Sequence, residues 1–541
     1  MRGQRDRCRC RLRPPYKHSY ALIVAALAAL VGSGALRVRG LLLAVSTFAF
    51  AVAAGSWIYR QDVLSGGNST SVPLIRGSLF GLNLKNQRTY YYVVLAVLVV
   101  LMAALGRLRR SGVGRVTIAV RDNAVSAASY TVRPSLVKLR TFAISGFVAG
   151  LGGALLAGVA QQLRFGDGRF VVDGSLLLVS MIVIGGMGSI SGAVVGALWV
   201  VGLPAFASGN AVVPLLTSSV GLLVLLLYFP GGLIHIVYRV RSGLYRRIES
   251  RLAPFGKVAT FPPASLRSAS HREVTHDVPL RATNIVVFFG GVKANNGISI
   301  EVRKDEIVGL IGTNGAGKTT LMNAIGGFVQ AEGLVELLGD DVSDDQPTVR
   351  ARKGLGRTFQ SARLFPELTV RETVEVALEA RGRSGLIETL VFSPRARSRG
   401  RAQHKEAAEL VDFLGLGRYA DRPISELSTG TRRIVELAGL LALDARVLCL
   451  DEPTAGIAQR EAEAMSPLLV EIRKELGASM LIIEHDMPLI MGMSDRVYCL
   501  EFGKVIAEGL PSQVRSDPKV IASYLGMDER TIARSGRAAG I

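Results

Sequence analysis

Long apolar runs separated by short polar joints fill the first part of the chain. The runs are Tyr20–Leu36, Leu41–Tyr59, Tyr90–Leu105, Thr141–Ala160, Gly174–Leu203 and Val212–Val237. Several approach the roughly 20 residues that a helix needs to cross hydrocarbon. The run Gly174–Leu203 carries "IGGMGSISG" at its middle, a cluster that breaks a helix. It predicts a re-entrant pair or two short helices, with the glycines packing helices closely or lining a pathway. One polar stretch, "GRVTIAVRDNAVSAASYTVRPSLVKLR" from Gly114 to Arg140, interrupts the apolar runs and predicts a short helix over Thr117–Ser129. From Arg239 to Pro279 the sequence turns basic and rich in Pro and Ser, which reads as a linker. From Leu280 onward strand-like runs alternate with helical patterns, the mark of an α/β domain. The predicted division is a basic tail over 1–18, a transmembrane domain over 19–238, a linker over 239–279, an α/β domain over 280–526 and a flexible tail over 527–541.

Charge adds orientation. The chain has 541 residues, 49% of them apolar, and a formal net charge of +21. Arg107, Arg109, Arg110, Arg115, Arg121, Arg133, Lys138 and Arg140 cluster in the polar stretch, and Arg239, Arg241, Arg246 and Arg247 follow the last apolar run. Both clusters are expected on the cytoplasmic side. The intervening spans then have the right parity if Gly174–Leu203 turns back on itself. The basic start "MRGQRDRCRCRLRPPYKH" fits this count badly and lacks a cleavage site. A basic excess also suits nucleic acid, but apolar runs beside the charges favour the membrane. Cys8, Cys10, Cys449 and Cys499 have no metal-binding spacing and suggest no disulfide framework.

"GLIGTNGAGKTTL" supplies the strongest chemistry. Gly312, Thr313, Asn314, Gly315, Ala316, Gly317, Lys318 and Thr319 fit the phosphate-loop pattern, between a strand-like and a helix-like run, and Thr320 follows. Gly315 and Gly317 let backbone N–H groups surround phosphate oxygens, Lys318 reaches the β- and γ-phosphates, and Thr319 offers a hydroxyl to Mg²⁺. "VLCLDEPTAG" reads as a buried strand ending in Asp451, for the Mg²⁺ shell, and Glu452, for polarising water.

With "GRTFQ", ending in Gln360, "LSTGTRR" and "LIIEHD", these motifs resemble the nucleotide-binding domain of ABC transporters over Leu280–Leu525. The fold implied is an α-helical transmembrane domain followed by an α/β P-loop ABC ATPase. The resemblance implies that Phe289 stacks on adenine, Gln360 senses Mg²⁺ and the membrane domain, and His485 contacts the γ-phosphate. It also implies that Ser428, Thr429 and Gly430 form the signature that clasps ATP on an opposite subunit. Thr429 and Thr431 stand where Gly and Gln are commonest, which implies altered strength. Ala458 stands where Asn or Asp is usual, which points away from symmetric, full-rate hydrolysis.

"RLFPELTVRETV" and "FFGGVKANNGISIEV" resemble the LivG-type ATPase of branched-chain amino acid import. "GRVTIAVRDNAVSAASY", "MIVIGGMGSISGAVVGA" and "YFPGGL" resemble its LivM-type permease. The chain thus resembles a permease–ATPase fusion in the cell membrane with its ATPase in the cytoplasm. The "SLGH" region of such permeases is missing, which implies a truncated or shifted start. ATP and Mg²⁺ are the implied cofactors. A LivH-like permease, a LivF-like ATPase and an extracytoplasmic substrate-binding protein are the implied partners, with homodimerisation as the alternative. The competing readings are a urea or short-chain amide importer, a poorly hydrolysing partner subunit, and an ABC ATPase acting on DNA or ribosomes. The apolar runs oppose the last, and no nucleic-acid partner is expected. In this setting the Thr117–Ser129 helix is expected in a cleft near Gln360 and the helical subdomain, with Arg121, Asp122 and Asn123 as coupling residues and Ala124 where an acidic residue is common.

Overall fold

A computed structural model describes residues 19–35, 41–58, 61, 71–73, 76–79, 82–164, 172–206, 223, 227–228, 231–234, 276–360, 364–382, 385–390, 393–457 and 459–524. The predicted tails, most of the predicted linker, nearly all of the run Val212–Val237, and Ala458 lie outside these residues. In chain order the first helices are α1 (Ser19–Ala35), α2 (Leu41–Ser56), α3 (Gln87–Arg109), α4 (Gly112–Asp122), α5 (Ala124–Ser129), α6 (Pro134–Ala160), α7 (Val172–Gly185) and α8 (Ile190–Ala197). The described residues form two compact units, within the following bounds. One comprises Met1–Arg107 with Lys138–Lys257, the other Leu108–Val137 with Val258–Ile541.

In the first unit, α3 and α6 are each long and apolar enough to cross a membrane. Small residues let α6 lie against α1. A Cβ at Gly150 would meet the Val24 side chain at 2.9 Å, and one at Gly146 would overlap the Ala28 methyl. Tyr90 donates to the Leu155 carbonyl at 2.8 Å, and Arg76 donates from Nε to the Gly158 carbonyl at 2.6 Å, capping the end of α6. The expected break in Gly174–Leu203 is a bend of 118° between Gly174–Gly185 and Ile190–Phe206. Ser189 caps the second helix by accepting from the Gly192 N–H. Backbone meets backbone across this bend: a Cβ at Gly185 would overlap the Gly192 carbonyl, and one at Gly196 the Met181 carbonyl. Close packing therefore accounts for these glycines.

The second unit is built on two sheets. Besides a two-residue edge strand at Asp340–Asp341, its strands are β1 (Leu280–Phe289), β2 (Val292–Val302), β3 (Ile307–Gly312), β4 (Glu332–Leu337), β5 (Leu355–Arg357), β6 (Val447–Asp451), β7 (Ser479–Ile483), β8 (Arg496–Glu501) and β9 (Lys504–Gly509). The larger sheet has the order β5-β6-β7-β3-β8-β9, parallel except for β9. Every residue of β3, β6 and β7 is buried, which explains their unbroken apolar character. An antiparallel sheet pairs β2, β1 and β4. Helices α9 (Lys318–Ile325), α10 (Pro347–Arg352), α11 (Val370–Leu378), α12 (Pro394–Phe413) and α13 (Thr429–Leu443) complete the part that positions the site. Its α/β character agrees with the fold expected from the sequence.

The stretch 108–137 packs inside this second unit. Ile118, Ala119, Val120, Ala127, Tyr130 and Val132 share one hydrophobic core with residues of α11, α13 and β6. The single helix expected over Thr117–Ser129 is two helices, α4 and α5. Ser111 caps α4 at its start, and Asn123 breaks the run (φ −151°). The Asn123 side-chain Oδ1 accepts from the Val125 and Ser126 N–H groups at 3.1 Å. A short amide side chain that competes for backbone donors ends one helix and starts the next.

Candidate functional site

The phosphate loop leaves β3 and enters α9. Gly317 sits at φ +97° as the residue before the helix. A Cβ there would come within 2.6 Å of the Ala294 carbonyl and the Asn295 amide, so both conformation and space call for glycine. Asn314 and Gly315 form the exposed tip and Ala316 is buried beneath it. Thr319 and Thr320 occupy the first turn of α9, where N–H groups lack helical partners and the dipole favours an anion. Lys318 is only 6% exposed. Its Nζ donates to the Gly312 and Thr313 carbonyls at 2.7 and 3.0 Å. Burial lowers its pKa, against the upward pull of Glu452 and Asp451.

Asp451 ends β6, 1% exposed. Burial, joined by the like charge of Glu452, raises its carboxyl pKa, while Arg357 and the Thr319 hydroxyl pull the other way. Both its carboxylate oxygens are buried without a well-formed hydrogen bond. Orphaned buried oxygens beside a hydroxyl are a donor set that fits a hard divalent cation such as Mg²⁺.

Glu452 follows at φ +49°, a strained position for a residue with a side chain. Its Oε1 lies 2.9 Å from His485 Nε2. The Gln360 amide donates to Oε1 and Oε2 at 3.2 and 3.1 Å. Lys318, Thr319, Gln360, Asp451, Glu452 and His485 therefore gather at the carboxyl ends of adjacent parallel strands. That edge can bind a phosphate chain and hold a water against it. Phe289 ends β1 half-exposed. Ser428 caps α13, accepting from the Thr431 N–H at 3.2 Å, with Thr429 exposed and Gly430 buried in the first turn.

Several residues escaped sequence reasoning. Glu484, 4% exposed, accepts from the Thr454 N–H and hydroxyl at 2.8 and 2.7 Å and so ties the turn after Glu452 to β7. Its signal was a charge ending an apolar strand in "LIIEHD". The Tyr524 hydroxyl accepts the Gly312 N–H at 2.9 Å, bracing the base of the phosphate loop. Nothing local marks that tyrosine.

The stretch 108–137 meets the same unit through charge as well as core. Arg121 pairs with Glu367 at 2.6 Å and with Asp122 at 2.8 Å, and Asp122 accepts from the Glu367 N–H at 3.2 Å. Buried Arg115 lies 3.0 Å from Glu375 and 3.7 Å from Glu379. Tyr130 is buried edge-on to Phe365, with ring centroids 6.1 Å apart. It fills the space beside Gly439 of α13: a Cβ there would sit 2.5 Å from the Tyr130 hydroxyl.

Residues 19–229 match the family described as branched-chain amino acid transport system / permease component. Residues 295–455 match the ABC transporter family and 504–527 the branched-chain amino acid ATP-binding cassette transporter family. The high-affinity branched-chain amino acid transport ATP-binding protein LivG of Escherichia coli K12 is 40% identical over 250 residues, 46% of this chain and 98% of LivG. BraF of Pseudomonas aeruginosa, with the same description, is 36% identical over 248 residues, 46% of this chain and 97% of BraF. A crystal structure of a nucleotide-free ATP-binding cassette from an ABC transporter is 33% identical and aligns with 46% of this chain and 98% of its own, with a TM-score of 0.41.

Proposed function

We propose, for a chain that belongs to the branched-chain amino acid ABC transporter family and joins a permease to a transport-coupled ATPase, that it drives import of branched-chain or related hydrophobic amino acids. The observation that carries this reading is the joining of a permease-family segment, residues 19–229, to a LivG-like cassette. In this reading the chain is multi-pass in the cell membrane and its ATPase unit is cytoplasmic, in keeping with the arginine clusters.

The phosphate loop, with Lys318 and the first N–H groups of α9, binds the phosphates of ATP, and Phe289 supports the base. Thr319, Asp451 and Gln360 are the residues that would hold Mg²⁺, which when bound offsets charge on the β- and γ-phosphates. Glu452 orients the attacking water, His485 steadies Glu452 and faces the γ-phosphate, and Gln360 holds the carboxylate in place. Ser428, Thr429 and Gly430 serve the ATP of a second cassette, so a second ATPase and a second permease are required. LivH-like and LivF-like chains and an extracytoplasmic binding protein suit that requirement. Arg121, Asp122 and Asn123 lie in the segment that passes cassette closure to the membrane.

The test is uptake into proteoliposomes holding this chain with its partner subunits and binding protein. Labelled leucine accumulates with ATP in the wild type, and Glu452→Gln lowers both uptake and ATP hydrolysis by about 10² or more. Uptake of urea in place of leucine overturns the substrate, and outward movement overturns the direction. Unchanged hydrolysis in Glu452→Gln overturns the catalytic assignment.

A further inference from the structure

One turn of α13 grips the main chain that carries Gln360. Arg433 is 3% exposed and Glu436 4% exposed. The Phe359 N–H donates to Glu436 Oε1 at 3.2 Å. Arg433 Nη1 donates to the Phe359 carbonyl at 2.7 Å, and Nη2 donates to the Gln360 carbonyl. Arg433 Nη1 also lies 3.2 Å from Glu436 Oε2, so the two side chains fix each other. Three main-chain groups of two adjacent residues are held by one arginine fork and one carboxylate.

The geometry upstream is equally constrained. Arg357 ends β5, donating to the Met322 carbonyl at 2.7 Å and to Asn323 Oδ1 at 2.6 Å. The Thr358 N–H donates to the Cys449 carbonyl at 3.0 Å. The sheet thus fixes the approach to Phe359, and α13 fixes the exit. Gln360 is left with little freedom except at its side chain, whose amide reaches both oxygens of Glu452.

A buried Arg–Glu pair is a poor way to stabilise a core, because desolvation cancels much of its attraction. Apolar residues of similar size would fill the space as well. They would leave the Phe359 N–H and the two carbonyls unheld. The value of the pair is therefore geometric.

We infer that Arg433 and Glu436 are positioning residues for ATP hydrolysis, holding the Phe359–Gln360 main chain so that the Gln360 amide stays on the Glu452 carboxylate. The inference rests on the assignment of Gln360 and Glu452 to the hydrolytic step. It adds a role to the signature helix within its own cassette, beside the contact of its first turn with a second one. Lysine at 433 keeps the charge but loses the fork that spans two carbonyls.

The experiment measures kcat and KM for ATP in the full chain with its partner subunits, for Arg433→Lys, Gln360→Ala and the double variant. Arg433→Lys is expected to lower kcat about tenfold, as small misplacements of a catalytic group do, with KM for ATP changed less than about twofold. In the Gln360→Ala background the same change is expected to lower kcat by less than about twofold, since Arg433 acts through Gln360. Full additivity of the two losses overturns the inference, as does a normal kcat in Arg433→Lys when Gln360→Ala is slow. If Gln360→Ala and Glu452→Gln are both as fast as wild type, the assignment beneath the inference falls and takes it along. Should Arg433→Lys fail to assemble, Glu436→Gln gives the same readout. It is expected to lose about as much kcat, again only when Gln360 is present, and a normal kcat overturns the inference.

Discussion

Replacing Arg115 by methionine tests whether the stretch 108–137 is fastened by a buried charge. Arg115 keeps only 9% of its side chain exposed, and Glu375 and Glu379 keep 4% and 6%. Methionine fills much of the same volume but takes the Arg115 cation away from two buried carboxylates. Breaking one partner out of a buried pair costs about 3–5 kcal/mol. The lower end applies here, since His404 Nδ1 remains 2.8 Å from Glu375. At 1.36 kcal/mol per decade, about 3 kcal/mol shifts docking of the stretch by about 10². The stretch relieves the cost by leaving the ATPase surface, which lets the carboxylates hydrate. Two readouts in the reconstituted transporter follow. Amide hydrogen exchange over residues 112–130 should speed up by about 10², and substrate moved per ATP should fall while basal hydrolysis persists. Arg109→Met is the control. Its pair with Glu372 spans 3.2 Å but is 37% and 26% exposed, so the loss should stay below about 1 kcal/mol. Unchanged exchange in Arg115→Met, or equal effects of the two variants, refutes the reasoning.

Three further outcomes are expected. Gly439→Ala should loosen the same docking by about 1–3 kcal/mol through overpacking against Tyr130, and Tyr130→Leu should relieve most of it, as read by exchange over residues 112–130. Burial pushes the Glu436 carboxyl up from its ordinary 4.5 to about 7. A raised folded-state value means its stabilisation is complete below pH 4.5 and is lost as pH rises through 7, so the melting temperature of Glu436→Gln minus that of wild type should climb between pH 5.5 and 8.5; a flat difference refutes this. Asn123→Ala removes the cap of α5 and should speed exchange over residues 124–129 by about 1 kcal/mol without changing basal ATP hydrolysis.

The parts of the site that were legible in the sequence are those whose geometry is local. A phosphate loop needs glycines, a lysine and a helix start within a few residues, so Gly312–Thr319 announces itself. Asp451 and Glu452 were legible because four apolar residues lead straight to them. Gln360, Ser428 and His485 needed the resemblance, since each is an ordinary polar residue until its neighbours are known. The apolar runs gave the helices of the first unit, and the glycines of "IGGMGSISG" gave the bend.

What stayed hidden depends on contacts between distant residues. Arg433 and Glu436 lie three apart on α13 with nothing local to mark them, yet both are buried against Phe359 and Gln360. Asn123, expected as a coupling residue inside one helix, instead starts a second helix, because its choice of Val125 and Ser126 as donors is a matter of rotamer. Nothing local marks Gly439, and the side chain of Tyr130 explains it. Charge predicts only a cytoplasmic side for the polar stretch; its apolar residues Ile118, Ala127 and Val132 supply the core it shares with the ATPase unit.

The hydroxyl that braces the phosphate loop arrives late. Tyr524 lies 212 residues after Gly312, so the loop emerges from a ribosome well before the group that closes its base. At 5–20 residues per second that interval is about 10–40 s. During it the Gly312 N–H has water or a chaperone for company rather than its native partner. A nascent cassette thus holds a recognisable nucleotide motif before the group that braces its base has been made.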